Sequence, residues 1–255
     1  MLFSSTVFGP VKSRRLGVSL GINLLPNEAK ICSFNCIYCE CGYNTVAKNA
    51  HIPSREEVRS ALETKLIEMK TAGEKPDVLT FAGNGEPTLH PDFEGVIDDT
   101  ISLRNQYFPN AKVSVLSNSS EISKESVFRA LLKVDNNILK LDSAIENTIK
   151  ILDRPNAPHF SAEKLIENLC RFNGKLIVQT MFVRGTHEGN LIDNTTETEL
   201  SAWLAALQKI KPAQVMIYTI DRATPEKNLQ KVSVAELKTI AERVKKIGID
   251  VQVSG

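Results

Sequence analysis

The chain has 255 residues, 42% of them hydrophobic and 24% charged, which is enough to bury a core without disulfide staples. Its net charge of +1 excludes a global field of the kind that draws in nucleic acid. The N-terminus has no apolar segment of signal-peptide length and no run approaches a membrane span, so a cytoplasmic protein with reduced thiols and no membrane partner is expected. The charge is uneven: residues 1–30 carry four Lys/Arg against one acid, and residues 205–255 carry nine against five. Such faces suit an anionic substrate or RNA, or simply stay solvated.

Residues 1–28 read as a leader that ends in a first strand, VSLGINLL. The leader carries Lys12, Arg14 and Arg15 in KSRRLG. A solvated basic arm and a clamp for a carboxylate or phosphate are both open readings of that cluster. The cysteine-bearing loop KICSFNCIYCECG, residues 30–42, follows. SREEVRSALETKLIEMKTAG reads as a helix opened by a capping box, Ser54 with Glu57, and stopped at Gly73. Its apolar stripe is Val58, Ala61, Leu62, Leu66 and Met69. Short buried strands are predicted at DVLTFAG, KVSVLSN, ILKLDS, LIVQTMFV, QVMIYTI and IDVQVSG. Helical patterns lie near 92–105, 122–133, 143–152, 161–172 and 196–209, and SVAELKTIAERVKKIG repeats the capping design with Ser233, Glu236 and Gly248. Cys170, in the 161–172 pattern, reads as a buried structural thiol. RGTHEGNLIDNTTE, residues 184–197, is polar and long for a connection, and is expected as a lid. His187 there, like His90, reads as a loop polar residue. Strand–helix alternation implies parallel pairing with helices outside. Six or seven such units suit an open doubly wound sheet or a barrel, and in both the ligands gather at the carboxyl ends of the strands.

Four of the five cysteines fall between Cys32 and Cys41. A structural zinc site takes four ligands, commonly as two spaced pairs, and these thiols are not two such pairs. Cys41 lies two residues past Cys39, and the nearest histidine along the chain is His51. Cys32, Cys36 and Cys39 give C-x3-C-x2-C, a three-thiolate set that leaves a metal position open and suits an iron–sulfur cluster. A zinc site and a bare redox thiol stay open as alternatives.

C-x3-C-x2-C with Tyr38 just before its last cysteine resembles the signature of the radical S-adenosylmethionine (radical SAM) superfamily. FAGNGEPTLHP, directly after a predicted strand, resembles that family's GGEP segment, with Asn84 between the glycines as a departure. GPVKSRRLGVSLGINLLP, FNCIYC, GNGEPTLHP, KLDS, DRPN and YTIDRATPE are together similar to the iron–sulfur oxidoreductase group related to tRNA wyosine synthases, over nearly the whole chain. Wyosine synthases carry further upstream cysteines for a second cluster, whereas no cysteine precedes Cys32 here.

The resemblance implies one domain over 1–255, a partial (β/α)6 TIM-like barrel of parallel strands with the cysteine loop at their carboxyl end. It implies that Cys32, Cys36 and Cys39 hold one [4Fe–4S] cluster, with Cys41 outside it, and that S-adenosylmethionine chelates the remaining iron. The implied cofactor-binding residues are Tyr38, Gly83, Asn84, Gly85, Glu86, Ser117, Asn118, Lys140, Asp142, Ser143 and Tyr218. Glu86 would offer an anion to the methionine ammonium. On the residues alone, GNGEP is also a tight turn, and Lys140 with Asp142 is also an ion pair at a barrel mouth. Gln179 and Met181 are expected to face the cavity. Asp221 and Arg222 cluster with Tyr218 at a strand end, and Arg14, Arg15 and Arg222 are candidate substrate contacts. The implied activity is reductive cleavage of S-adenosylmethionine to a 5′-deoxyadenosyl radical that takes hydrogen from a small molecule, a nucleoside in tRNA, or a protein. An electron donor such as flavodoxin or ferredoxin is the implied partner. Two other classes stay open: an activase that makes a glycyl radical in a partner enzyme, and a non-catalytic zinc or redox-sensing binding protein.

Overall fold

The structure, a computed structural model, describes residues 2–13, 16–45 and 50–255. Arg14 and Arg15, two of the candidate substrate contacts, lie outside the described residues. The chain divides into two compact units. The first comprises Met1–Cys32, Asn44–Ser117 and Glu121–Asn137, and the second comprises Ser33–Tyr43, Asn118–Ser120 and Ile138–Gly255.

In the first unit, strands β1 (Val7–Ser13), β2 (Gly17–Ile22), β3 (Val78–Phe81) and β4 (Lys112–Ser117) alternate with helices α1 (Arg55–Thr71), α2 (Phe93–Tyr107) and α3 (Glu125–Lys133). β2, β3 and β4 pair in parallel, and β1 lies antiparallel on β2. The buried run of β3, VLTF, is what a strand covered on both faces requires. α1 begins where the capping box predicts: Ser54 accepts from Glu57 N, and the Glu57 carboxylate accepts from Ser54 N. Val58, Leu62, Leu66 and Met69 are buried along one stripe, with Ala61 at its margin. β1 escaped the sequence reading because it is mostly exposed and broken by a bulge between Phe8 and Val11. Phe8 stacks on Phe3, and its ring lies over Gly21, where a side chain would collide with it.

The second unit holds the end of β5 (Asn136–Lys140), then α4 (Glu146–Leu152), α5 (Ala162–Cys170), β6 (Ile177–His187), β7 (Asn190–Asp193), α6 (Glu197–Ile210), β8 (Gln214–Thr219), β9 (Leu229–Lys231), α7 (Val234–Lys246) and β10 (Asp250–Ser254). β5, β6, β8 and β10 pair in parallel in that order. Among the described residues the parallel strands number three in the first unit and four in the second, β10 being the predicted IDVQVSG strand. The polar 184–197 segment forms regular structure rather than a loop. β6 runs on past its parallel portion, turns through Glu188 and Gly189, both at positive φ, and returns as β7. β9 pairs antiparallel on the other side of β6. Two positive-φ residues in a two-residue turn suit the right-handed twist of a hairpin. Trp203 of α6 is buried against this sheet, with its ring edge on Phe182 and its Nε1 donating to Thr180 Oγ1 at 3.1 Å.

Candidate functional site

The first unit presents the glycine-rich turn after β3. Ile31, just before Cys32, pairs with Gly85: Ile31 N donates to Asn84 O at 3.0 Å, and Glu86 N donates to Ile31 O at 3.2 Å. Gly85 has φ +140°, and a side chain there would overlap the Ile31 carbonyl oxygen. Gly83 is pressed in the same way against the Asn23 side chain. Glu86 is 2% exposed and caps a single 3-10 turn, Pro87–Leu89. Its Oε1 accepts from Thr88 N at 3.1 Å, Thr88 Oγ1 at 2.5 Å and Ser117 Oγ at 2.8 Å. The carboxylate is thus fixed at the carboxyl end of β3 beside the last residue of β4. Asn84, wholly buried, points the other way: its side chain accepts from Phe3 N and donates to the carbonyls of Phe3 and Pro26, each at 2.8 Å. The departure from the family pattern therefore ties the leader to the turn. His90 is also committed, its Nε2 donating to Pro53 O at 2.8 Å while Nδ1 accepts from Asp92 N.

The second unit presents the rest of the cysteine loop. Its backbone is anchored by Asn35 N to Asp153 O at 3.0 Å and by Ile37 N to Leu152 O at 3.1 Å. The five cysteines form no disulfide. Tyr38 is buried and donates to Asp142 Oδ2 and, at 3.1 Å, to Asp153 Oδ1. Lys140, at the end of β5, donates to Tyr38 Oη and stands 3.0 Å from Asp142 Oδ2, with its ammonium over the Tyr38 ring. Cys36 Sγ donates to Asp153 Oδ1 at 3.3 Å, and Asp142 Oδ1 accepts from Met181 N at 2.8 Å. Burial, reinforced by Asp142, Asp153 and Cys36, pushes the Tyr38 phenol well above its ordinary range. Burial works against the Lys140 ammonium, but Asp142 and its other anionic neighbours outweigh it and raise its pKa well above the ordinary value. Burial and nearby Asp142 push Asp153 well above the carboxylate range, which favours the protonated acid.

Other predicted residues are spread around these two centres. Ser143 Oγ donates to the buried Glu199 at 2.6 Å and accepts from Ile145 N. Asn118 bridges Ser33 Oγ and Ser120 N, both at 2.9 Å. Tyr218 and Met181 are in register across β8 and β6, and Gln179 is in register with Lys140 on β5. Arg222 is 72% exposed at its side chain and pairs with Glu40 of the cysteine loop at 2.8 Å. Asp221 pairs with Lys231 on β9. Cys170, expected to be buried, is partly exposed at the end of α5, and burial still raises its pKa. Glu199 was not singled out from the sequence, and Asp153 entered only within the DRPN motif, with no role assigned. The Asp153 partner Tyr38 is 115 residues away along the chain, so no local signal reveals that pairing.

The donor set Cys32, Cys36 and Cys39 fits an iron–sulfur cluster by its chemistry, thiolates being the preferred ligands. Among the described residues no three His, Cys, Asp or Glu side chains are arranged to hold a metal as they stand, and no helix is long and apolar enough to cross a membrane. No family model matches the chain. It is 32% identical to a UPF0026 protein of Helicobacter pylori over 85% of this chain and 66% of that one. It is 31% identical to a protein named GTPase Obg of Brachyspira hyodysenteriae over 93% of this chain, but spans only 33% of that protein. Among solved structures it resembles a radical SAM methyltransferase from Sphaerobacter thermophilus (TM-score 0.67, 12% identity, 92% of this chain and 65% of that one). It also resembles Streptococcus suis SuiB bound to S-adenosylmethionine (TM-score 0.64, 16% identity, 89% and 49%). TYW1 with a lysine-pyruvate adduct bound is a third such neighbour (TM-score 0.61, 14% identity, 89% and 73%). With mostly parallel strands joined through helices, the chain shares its α/β fold with these radical SAM structures.

Proposed function

We propose that the protein is a radical SAM enzyme that holds one [4Fe–4S] cluster through Cys32, Cys36 and Cys39 and binds S-adenosylmethionine. The observation that carries this reading is a three-thiol loop whose backbone is anchored beside Cys32 to the Glu86 turn and beyond it to Leu152 and Asp153. The fold's occurrence in SuiB bound to S-adenosylmethionine supports it. When bound, the cluster and S-adenosylmethionine supply a one-electron cleavage that yields a 5′-deoxyadenosyl radical, and that chemistry belongs to the cofactor. The protein's part is to bind, orient and exclude water. Glu86, already immobilised by Thr88 and Ser117, receives the methionine ammonium as a charge-assisted partner. Tyr38, Lys140 and Asp142 form a rigid polar wall for the rest of the cofactor. The substrate is a small molecule, a tRNA nucleoside or a protein, and the electron donor is of the flavodoxin or ferredoxin kind. A cytoplasmic setting, where thiols stay reduced, belongs to the same proposal.

Anaerobic reconstitution tests it. The expected product is a brown protein with about four irons per chain that cleaves S-adenosylmethionine when reduced. Ala at Cys32, Cys36 or Cys39 should abolish both properties, and Cys41→Ala should keep both. One zinc and no colour would sink the reading, and loss of iron in Cys41→Ala would sink the ligand assignment.

A further inference from the structure

β6 runs on beyond Thr219, the last residue of its parallel neighbour β8, and ends at His187, where the chain turns back as β7. His187 is 6% exposed, and neither ring nitrogen has a hydrogen-bond partner among the described residues. His90, by contrast, has both nitrogens engaged. Unmade hydrogen bonds at buried polar groups are uncommon and destabilising. The His187 ring lies between two carboxylates. Nδ1 is 3.3 Å from Glu226 Oε1, and Nε2 is 3.7 Å from Glu188 Oε1. Both are within charge-pairing distance, but neither is aligned as a hydrogen bond. Glu226 belongs to the connection after β8, and that connection is fastened to the cysteine loop. The Glu226 carboxylate accepts from Tyr43, its N donates to Ile37 O at 3.3 Å, and Arg222 pairs with Glu40 at 2.8 Å.

We propose that His187 is a proton-operated latch: as an imidazolium it donates from Nδ1 to Glu226 and from Nε2 to Glu188, tying the β6–β7 hairpin to the cysteine loop, and on losing a proton to solvent it releases the hairpin. A neutral imidazole has one N–H and one lone pair, whereas an imidazolium has two N–H groups. Between two carboxylates only the charged ring satisfies both nitrogens, and the neutral ring must aim a lone pair at one of them. Imidazole is also the side chain whose charge ordinarily changes between about pH 5 and 8. Among the described residues, the charged and titratable groups facing the ring are Glu188 on its own hairpin and Glu226 on the connection, with the Tyr43 phenol and the Arg154 guanidinium behind Glu226. β7 opposes His187 with the neutral Asn190, β9 stops pairing at Gly185, and α4 beside β7 pairs its Lys150 with its own Glu146. Glu226 supplies a fixed negative pole, because the Tyr43 hydrogen bond, and then His187, hold its carboxyl below the ordinary range against the opposing effect of burial. The latched form holds one more proton than the released form, so latching is favoured at lower pH and lost as pH rises. The latch does not depend on which cofactor the cysteine loop holds.

The test is amide hydrogen exchange across residues 184–193 of the full chain, purified anaerobically, at about pH 5.5 and about pH 8.5, each rate divided by the intrinsic rate at that pH. Wild-type protection of the hairpin should be roughly ten-fold higher at the lower pH, the scale of one charge-assisted hydrogen bond, with no such change across α1. His187→Gln should show the same protection at both pH values, and Glu226→Gln should lose most of the dependence. Flat wild-type protection overturns the inference, as does a pH dependence that persists in His187→Gln. An equal change across α1 assigns the effect to global stability and overturns it too. If His187→Gln fails to fold, Glu226→Gln, at a side chain 25% exposed, decides the matter: an undiminished dependence there removes the latch.

Discussion

In the first unit, Glu86 stands on a turn whose shape is set by backbone: Gly85 at φ +140° packs against the Ile31 carbonyl, and Asn84 is tied to Phe3 and Pro26. In the second unit, Tyr38, Lys140, Asp142 and Asp153 are held by one another, through charge and shared protons. Steric exclusion makes the first arrangement local and unforgiving. Charge makes the second distributed, because Asp142 bears on the ionisation of Tyr38, Lys140 and Asp153 alike. A backbone-set turn yields only to a change of shape, and a charge-set cluster yields to a change of charge.

Gly85→Ala should break the first arrangement most severely. A side chain there overlaps the Ile31 carbonyl and an alanine at that φ is strained, so a loss of about 4 kcal/mol or more is expected, read from the urea midpoint of unfolding. A loss near 1 kcal/mol would show that the turn can relax. Asp142→Asn should break the second. It keeps an acceptor for Met181 N but leaves the Lys140 ammonium without its carboxylate, at a cost of about 3 kcal/mol. Lys140→Met added to Asp142→Asn should recover most of that loss, because the uncompensated charge is gone; no recovery would mean that the cluster is held by packing alone. Glu86→Gln sharpens the contrast. Its oxygen can still accept from Thr88 and Ser117, so stability should fall by only about 1 kcal/mol, with iron retained. The affinity for S-adenosylmethionine should weaken roughly ten- to hundred-fold, at about 1.4 kcal/mol per decade. A lower melting temperature with unchanged affinity would reduce Glu86 to a brace for the turn.

The smallest effect concerns Tyr43, which follows the cysteine loop and donates to Glu226. Burial, then the Glu226 carboxylate, raise its phenol from 10.0 to about 12. A raised pKa means that the folded state holds the proton more tightly. The stability from this group is therefore fully present below pH 10 and fades as pH rises through about 12. Glu226→Gln should lower the phenolate titration part of the way towards 10, leaving the share due to burial. An unchanged titration would remove Glu226 from the cause.

Much of the secondary structure was legible in the chain itself. Ser54 with Glu57 and Ser233 with Glu236 marked two helix starts that the structure reproduces as full capping boxes. Buried strands such as VLTF announced themselves by apolar run and length. The segments that were missed or misread share a cause: β1, β7 and β9 are short or largely exposed, so they carry no buried period-2 signal. Their pairing is decided by which strand lies alongside.

The cysteine spacing and the glycine turn were local patterns, so the candidate groups could be picked out from residue type and order. What the sequence by itself determined is therefore the set of groups that could act: three thiols on one loop, a carboxylate after a strand, a lysine and an aspartate two residues apart. Tertiary structure alone decided how those groups are used. It placed Asp153 against Tyr38 and Cys36, turned Asn84 towards the leader, gave the Ser143 hydroxyl to Glu199, and left Gln179 Nε2 buried with no hydrogen-bond partner among the described residues. The physical reason is range. Capping, turns and periodicity act over a few neighbouring residues, whereas burial and hydrogen-bond pairing depend on partners that only folding brings together.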